Sequence, residues 1–190
     1  MGKTEKTEQE LQQASDHVKY ELDMLAATIS FLSKGRGETD QATWNAYIES
    51  FVLHLRNLMD FYYLSGRKKS LILAEHYVND VTKWKGGRPA KTSLLKDAEQ
   101  KANNLAAHLT YERLVIINRD WEWKWAAISA DLKHVTNCFL NHLPPAWRAW
   151  FEATDNKGPT GPTGTPNPAV RAGTTGPAGP IGFGEATTRG

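Results

Sequence analysis

A chain of 190 residues, 40% hydrophobic and 23% charged, is long enough for one domain with a real core and too short for a second full one. Its single cysteine, Cys138, excludes an internal disulfide and a cysteine-rich zinc module, and fits a reducing compartment. The formal net charge of +2 conceals a basic strip over residues 67–91, where Arg67, Lys68, Lys69, Lys83, Lys85, Arg88 and Lys91 face only Glu75 and Asp80.

The first predicted helix follows Thr7, which with Glu10 offers a capping box. Val18, Leu22, Leu25, Ile29 and Leu32 mark one face, and Gly35 and Gly37 end it. The second runs from Gln41 to Leu64 with Trp44, Ile48, Phe51, Leu55, Leu58 and Tyr62 on one stripe, widened by Tyr47, Val52 and Met59, and is expected to be central. A third helix is expected from Ser70 to Trp84, broken by the loop Lys85-Gly-Gly-Arg-Pro89. The fourth begins near Ser93 with Leu94, Leu95, Ala98, Ala102, Leu105 and Leu109 facing inward, and stops at Asn118 to Asp120. In the fifth, Trp121, Trp125, Ile128, Leu132, Val135 and Phe139 form a stripe that Pro144-Pro145 terminates. Trp147, Trp150 and Phe151 are expected to pack back as a closing turn.

No segment sustains the period-two alternation of a strand, so the expected fold is all-α, an antiparallel bundle of about five helices. Residues 1–7 are expected to be a flexible N-terminus, 8–151 the bundle, and 152–190 a disordered Gly/Pro/Thr-rich tail with little to bury. Glycines 158, 161, 164, 173, 176, 179 and 182 share a three-residue register, a faint collagen-like pattern interrupted at Asn167 and Val170. The N-terminus is charged and no run approaches the ~18 continuous apolar residues of a membrane span. A cytoplasmic protein with no membrane partner is expected.

The most informative stretch is 49–62, an apolar helical run that retains His54, Arg56, Asn57 and Asp60. A buried polar group left unsatisfied costs about 1 to 3 kcal/mol, so these residues imply either a satisfied core network or a site. At about 100° per residue, His54 lies on one edge with Ser50 and Asn57, whereas Arg56 clusters with Glu49 and Asp60. Arg56 and Asp60 at i, i+4 read most simply as an intrahelical or inter-helix salt bridge. On the fourth helix, Asn104, His108 and Tyr111 share a polar edge. If the second and fourth helices pack side by side, His54 with Asn57 would face Asn104 with His108 across a groove, placing two imidazoles where they can act as acid and base.

His134-x3-Cys138-x3-His142 has the look of a metal motif, but residues i and i+8 lie about 12 Å apart along a helix, too far to share one zinc. His76 and Asp80 form another unspecific pair. No metal and no cofactor are expected, and the chain lacks a Walker A loop, a G-x-S-x-G elbow and a G-x-G-x-x-G loop.

Arg56-Asn57-Leu-Met-Asp-Phe61, set in an apolar helix of a small all-α protein, resembles the signature helix of the HEPN superfamily of bacterial defence and toxin proteins. Active members of that family are metal-independent RNases whose motif places His four to six residues beyond the Arg and is used across a dimer. Here Arg56 and Asn57 match, while Phe61, Tyr62 and Tyr63 hold the histidine positions. The resemblance implies RNA or a partner protein, including a second copy, as ligand. Arg56 would stabilise phosphorane-like charge, Asn57 would orient the 2′-hydroxyl or phosphate, and His108 or His54 would carry the proton. Asp60, Asn104, Tyr111 and Arg113 would complete the site, with Lys68, Lys69, Lys83, Lys85 and Arg88 along the strand. Asn104-Leu-Ala-Ala-His-Leu-Thr-Tyr-Glu-Arg113, with His54-Leu-Arg-Asn57, is also similar to small bacterial proteins without assigned activity. With the motif histidine missing, binding without cleavage is the expected activity. The rival expectation is a non-catalytic interaction bundle presenting Trp121, Trp123 and Trp125. Trp123 falls off the core stripe, and an exposed aromatic patch around it would mark a protein partner.

Overall fold

The computed structural model describes residues 6–66, 70–106 and 123–151. The expectations for residues 1–5, for Arg67, Lys68 and Lys69, for 107–122 and for the tail 152–190 lie outside the described residues. Among the described residues the structure is all-α, with no strand.

α1 (Glu8–Leu32) opens with the anticipated capping box: Thr7 Oγ1 accepts from the Glu10 amide at 3.2 Å and the Glu10 carboxylate accepts from the Thr7 amide at 2.8 Å. The Thr7 amide and hydroxyl, both donating to it, hold the Glu10 carboxyl below its ordinary range. Gly35 and Gly37 follow the helix at φ 78° and 51°, a backbone region that glycine enters without a Cβ penalty. α2 (Gln41–Tyr63) starts on Asp40, whose Oδ1 accepts from the Thr43 amide at 2.9 Å.

The third predicted helix is two pieces. A 3-10 turn at Ala74–His76 is separated from α3 (Val81–Gly87) by Asp80, which caps α3 by accepting from the Lys83 amide at 2.9 Å. A capping aspartate has extended backbone, so the chain cannot run helically through it. Gly86 and Gly87 belong to the last turn of α3, and the break comes at Arg88 and Pro89. α4 (Ser93–Ala106) starts as anticipated, with Thr92 Oγ1 accepting from the Leu95 amide at 3.1 Å. α5 (Trp125–His142) and the short α6 (Pro145–Arg148) complete the domain.

Four helices make the frame. α2 packs on α1 and α4, and α5 packs on the same two, so α2 and α5 stand diagonally across the bundle. Two ring contacts fix their relative direction, Phe51 with Trp125 at 4.8 Å and Phe61 with Phe139 at 5.2 Å. Both pairs advance together along the chain, so α2 and α5 run parallel. The bond from Tyr77 Oη to the Leu11 carbonyl at 3.2 Å and the Phe61–Tyr77 contact bring the start of α1 to the end of α2.

The stripes foreseen for α2 and α5 are the ones buried: Phe51, Leu55, Leu58 and Tyr62 face Ile128, Leu132, Val135 and Phe139. Phe139 is the hub, its ring within 6.3 Å of those of Phe61, Tyr62, Tyr77, Trp84 and Phe151. Tyr62 Oη pairs with Thr136 Oγ1 at 2.8 Å across the diagonal, which satisfies a phenol that is otherwise enclosed. Burial pushes its pKa far above the usual tyrosine value.

Trp123 departs from the sequence expectation. It is buried, stacked on Trp125 at 5.7 Å and set against the edge of Phe51 at 5.1 Å, with Lys101 Nζ 5.8 Å above its ring. The chain is not helical until Trp125, so the helical wheel that placed Trp123 off the core does not extend to it.

The connection between α2 and α3 is closed by Glu75. Its Oε1 accepts from the Gly66 amide at 2.7 Å and its Oε2 forms an ion pair with Lys85 Nζ at 2.8 Å. Burial opposes ionisation, but the Lys85 and Gly66 contacts outweigh it and hold the Glu75 carboxyl below its ordinary value. A carboxyl whose folded pKa is depressed stabilises the fold above its unfolded pKa, and that stability is lost as pH falls through the folded value. Glu75→Gln is therefore expected to cost about 1 to 2 kcal/mol at neutral pH and to flatten the acid limb of stability against pH. Urea titrations of both proteins from neutral to acid pH check this; parallel acid limbs would refute the clamp.

Candidate functional site

α2 carries the four polar residues singled out from the sequence, and the fold separates them. His54 is buried and turns toward α1, where its Nδ1 lies 2.7 Å from Glu21 Oε2 and its ring meets the edge of Tyr20 at 5.7 Å. Glu21 gave no signal in the sequence because its partner is 33 positions away. His54 therefore does not line a groove between α2 and α4 with Asn104; Asn104 is half-buried on α4, and His108, Tyr111 and Arg113 lie outside the described residues. The pair is a satisfied core contact of the kind that lets a polar group be buried without a large penalty.

Arg56, Asn57 and Asp60 lie on the outward side of α2, with Asn57 exposed and the other two half-buried. The expected Arg56–Asp60 ion pair does not form among the described residues, whose ion pairs are His54–Glu21, Lys83–Asp80, Lys85–Glu75 and Lys91–Glu99. Arginine placed N-terminal to the acid is the less favourable i, i+4 orientation. Leu53 and Leu64, 54% and 43% exposed, continue the same stripe.

Most of the described part of the basic strip is engaged by the domain itself. Arg88 donates from its guanidinium to the Tyr62 carbonyl and lies 4.7 Å from the Tyr63 ring centroid and 5.7 Å from that of Trp84. α2 has no basic residue in its last turn, so Arg88 supplies from the loop the cation and donor that the helix's orphan carbonyls lack. Lys91 Nζ is 2.7 Å from both Glu99 oxygens and 5.0 Å from the Tyr63 ring, which it shares with Arg88. Tyr63 Oη donates to the Pro89 carbonyl at 3.1 Å. Lys85 is held by Glu75, and Lys83 lies 3.8 Å from Asp80 in an exposed pair of little energetic weight.

Arg88→Ala is accordingly expected to destabilise the fold by about 2 kcal/mol, combining a charge-assisted bond to a backbone carbonyl with two cation–π contacts. Arg88→Lys is expected to recover little of it, because an ammonium lacks the planar fork. Chemical denaturation measures both; an unchanged midpoint would return Arg88 to the list of free phosphate-binding cations.

The His134, Cys138 and His142 series does not assemble a metal centre. His142 Nδ1 is engaged with the Cys138 carbonyl at 2.8 Å, the thiol donates to the Gly87 carbonyl at 3.4 Å, and His134 points to solvent. Burial raises the Cys138 thiol above its ordinary pKa, the direction that makes it less nucleophilic. No group of three His, Cys, Asp or Glu side chains suited to a metal occurs among the described residues, and none of their helices is long and apolar enough to cross a membrane.

The fold and the α2 stripe thus define an all-α bundle with an outward polar face on one of its central helices. No protein-family model, curated protein or solved structure matches the chain.

Proposed function

We propose that the chain is a cytoplasmic, non-catalytic helical-bundle module that binds a protein partner through the outward stripe of α2. The observation that carries this reading is the stripe itself. Leu53 and Leu64 are exposed at its two ends, and the Arg56, Asn57 and Asp60 side chains between them make no hydrogen bond or ion pair with any described residue. Two exposed leucines around polar groups of both signs offer apolar contact with charge-directed orientation.

An RNase reading of the HEPN-like Arg56-Asn57 pair needs a proton carrier and free cations nearby. The engagement of His54 by Glu21, and of Lys85, Arg88 and Lys91 by Glu75, Tyr62 and Glu99, supports binding to protein over cleavage of RNA. The resemblance is then one of helix architecture.

The test places a photo-crosslinking amino acid at Leu53 and, as a control, at the exposed Gln13 of α1 in the full chain. Crosslinking in bacterial cells to one protein species from position 53, lost with Arg56→Glu and absent from position 13, is the expected result. A labelled mixed-sequence RNA incubated with EDTA is expected to stay intact. Metal-independent cleavage abolished by Arg56→Ala, or crosslinks from position 53 to RNA alone, would overturn the proposal.

A further inference from the structure

The end of the domain carries an aromatic surface that the bundle does not consume. Trp147 and Trp150 stack with ring centroids 4.8 Å apart and planes at 16°, and both remain half-buried. Trp147 is fixed from one side, its indole N–H donating to Glu8 Oε1 at 3.2 Å, which ties the ledge to the first turn of α1. The Trp150 indole N–H has no partner among the described residues. Rigid, half-exposed indoles with a spare donor are the features with which aromatic surfaces take up polyproline-type peptides, whose backbone carbonyls are free to accept.

The same chain supplies such a peptide close by. Pro159, Pro162, Pro166 and Pro168 follow within a segment of Gly, Thr and Asn, and the first two are spaced by the three residues of one polyproline II turn. Seven residues separate Phe151 from Pro159. A tether of that length reaches up to about 26 Å and holds the segment at an effective concentration in the millimolar range. A contact too weak to form between separate molecules is favoured under those conditions.

We infer that the Pro-rich segment 159–168, which lies outside the described residues, is the intramolecular ligand of the Trp147–Trp150 ledge. The occupant is chosen by composition and tether length, and the face is distinct from the outward stripe of α2.

The experiment is fluorine NMR of the full chain labelled with 5-fluorotryptophan, with the two ledge resonances assigned from Trp147→Phe and Trp150→Phe. Wild type is compared with the quadruple variant Pro159→Ala, Pro162→Ala, Pro166→Ala, Pro168→Ala. The ledge resonances are expected to shift and to show a larger solvent isotope effect in the variant, unchanged on tenfold dilution. Trp84 and Trp123, both buried in the core, should not move and report that the fold is intact. Ledge resonances identical in the two proteins would overturn the proposal. A difference that disappears on dilution would also overturn it, because the segment would then be binding to another copy.

Discussion

Replacing Phe139 with alanine is expected to lower the unfolding free energy by about 3 to 5 kcal/mol, the largest loss of any single side chain in this domain. Five aromatic rings converge on it from α2, Tyr77, α3 and the closing turn, with centroids between 5.2 and 6.3 Å away. Removing the hub opens a cavity that none of these rings can fill alone, since Tyr62 is held by Thr136 and Tyr77 by the Leu11 carbonyl. Domains of this size are stable by about 5 to 15 kcal/mol, so the variant is expected to be folded but marginal. Phe139→Leu, which keeps most of the volume, should lose less and serves as the folded comparison. Urea denaturation followed by far-UV circular dichroism measures both. A loss under 1 kcal/mol for the alanine variant would mean that the cluster does not assemble around Phe139 as described.

Trp123→Ala is expected to cost about 3 kcal/mol, a result that separates the two roles open to this residue. A tryptophan on an exposed partner-binding patch typically changes stability by no more than about 0.5 kcal/mol when truncated. Here the ring is 5% exposed and joins Phe51 of α2, Trp125 of α5 and the Lys101 ammonium of α4. Its removal takes away one of the two ring contacts that Phe51 makes at the start of α5. Denaturation midpoints for Trp123→Ala and for a variant at the exposed Leu53, such as Leu53→Ala, make the comparison within one protein. Near-equal midpoints would restore Trp123 to the surface.

The two variants also divide what was legible in the sequence from what was not. Phe139 was readable because it lies inside a long helix, where Ile128, Leu132 and Val135 define the buried face before it. Trp123 was not, because the same periodicity was extended one turn beyond the point at which the chain becomes helical. Asp80 had an analogous effect on the third helix: apolar spacing continues across it, but its side chain caps α3 and ends the run.

The candidate site was legible as a set of residues and not as a geometry. The sequence shows that His54 points away from Arg56, and the structure keeps them apart. That His54 meets Glu21, and that Arg88 closes the end of α2, are contacts between positions 33 and 26 residues apart. No local pattern encodes them.

What the sequence determined by itself about this protein is the all-α class, the capping of α1, and the buried stripes of α2 and α5, because helix periodicity and capping are properties of neighbours along the chain. Only the tertiary structure decided that one histidine and most of the described basic strip serve the fold while Arg56, Asn57 and Asp60 face outward. A polar side chain becomes structural or available according to which partner the packing of distant helices brings within hydrogen-bond reach.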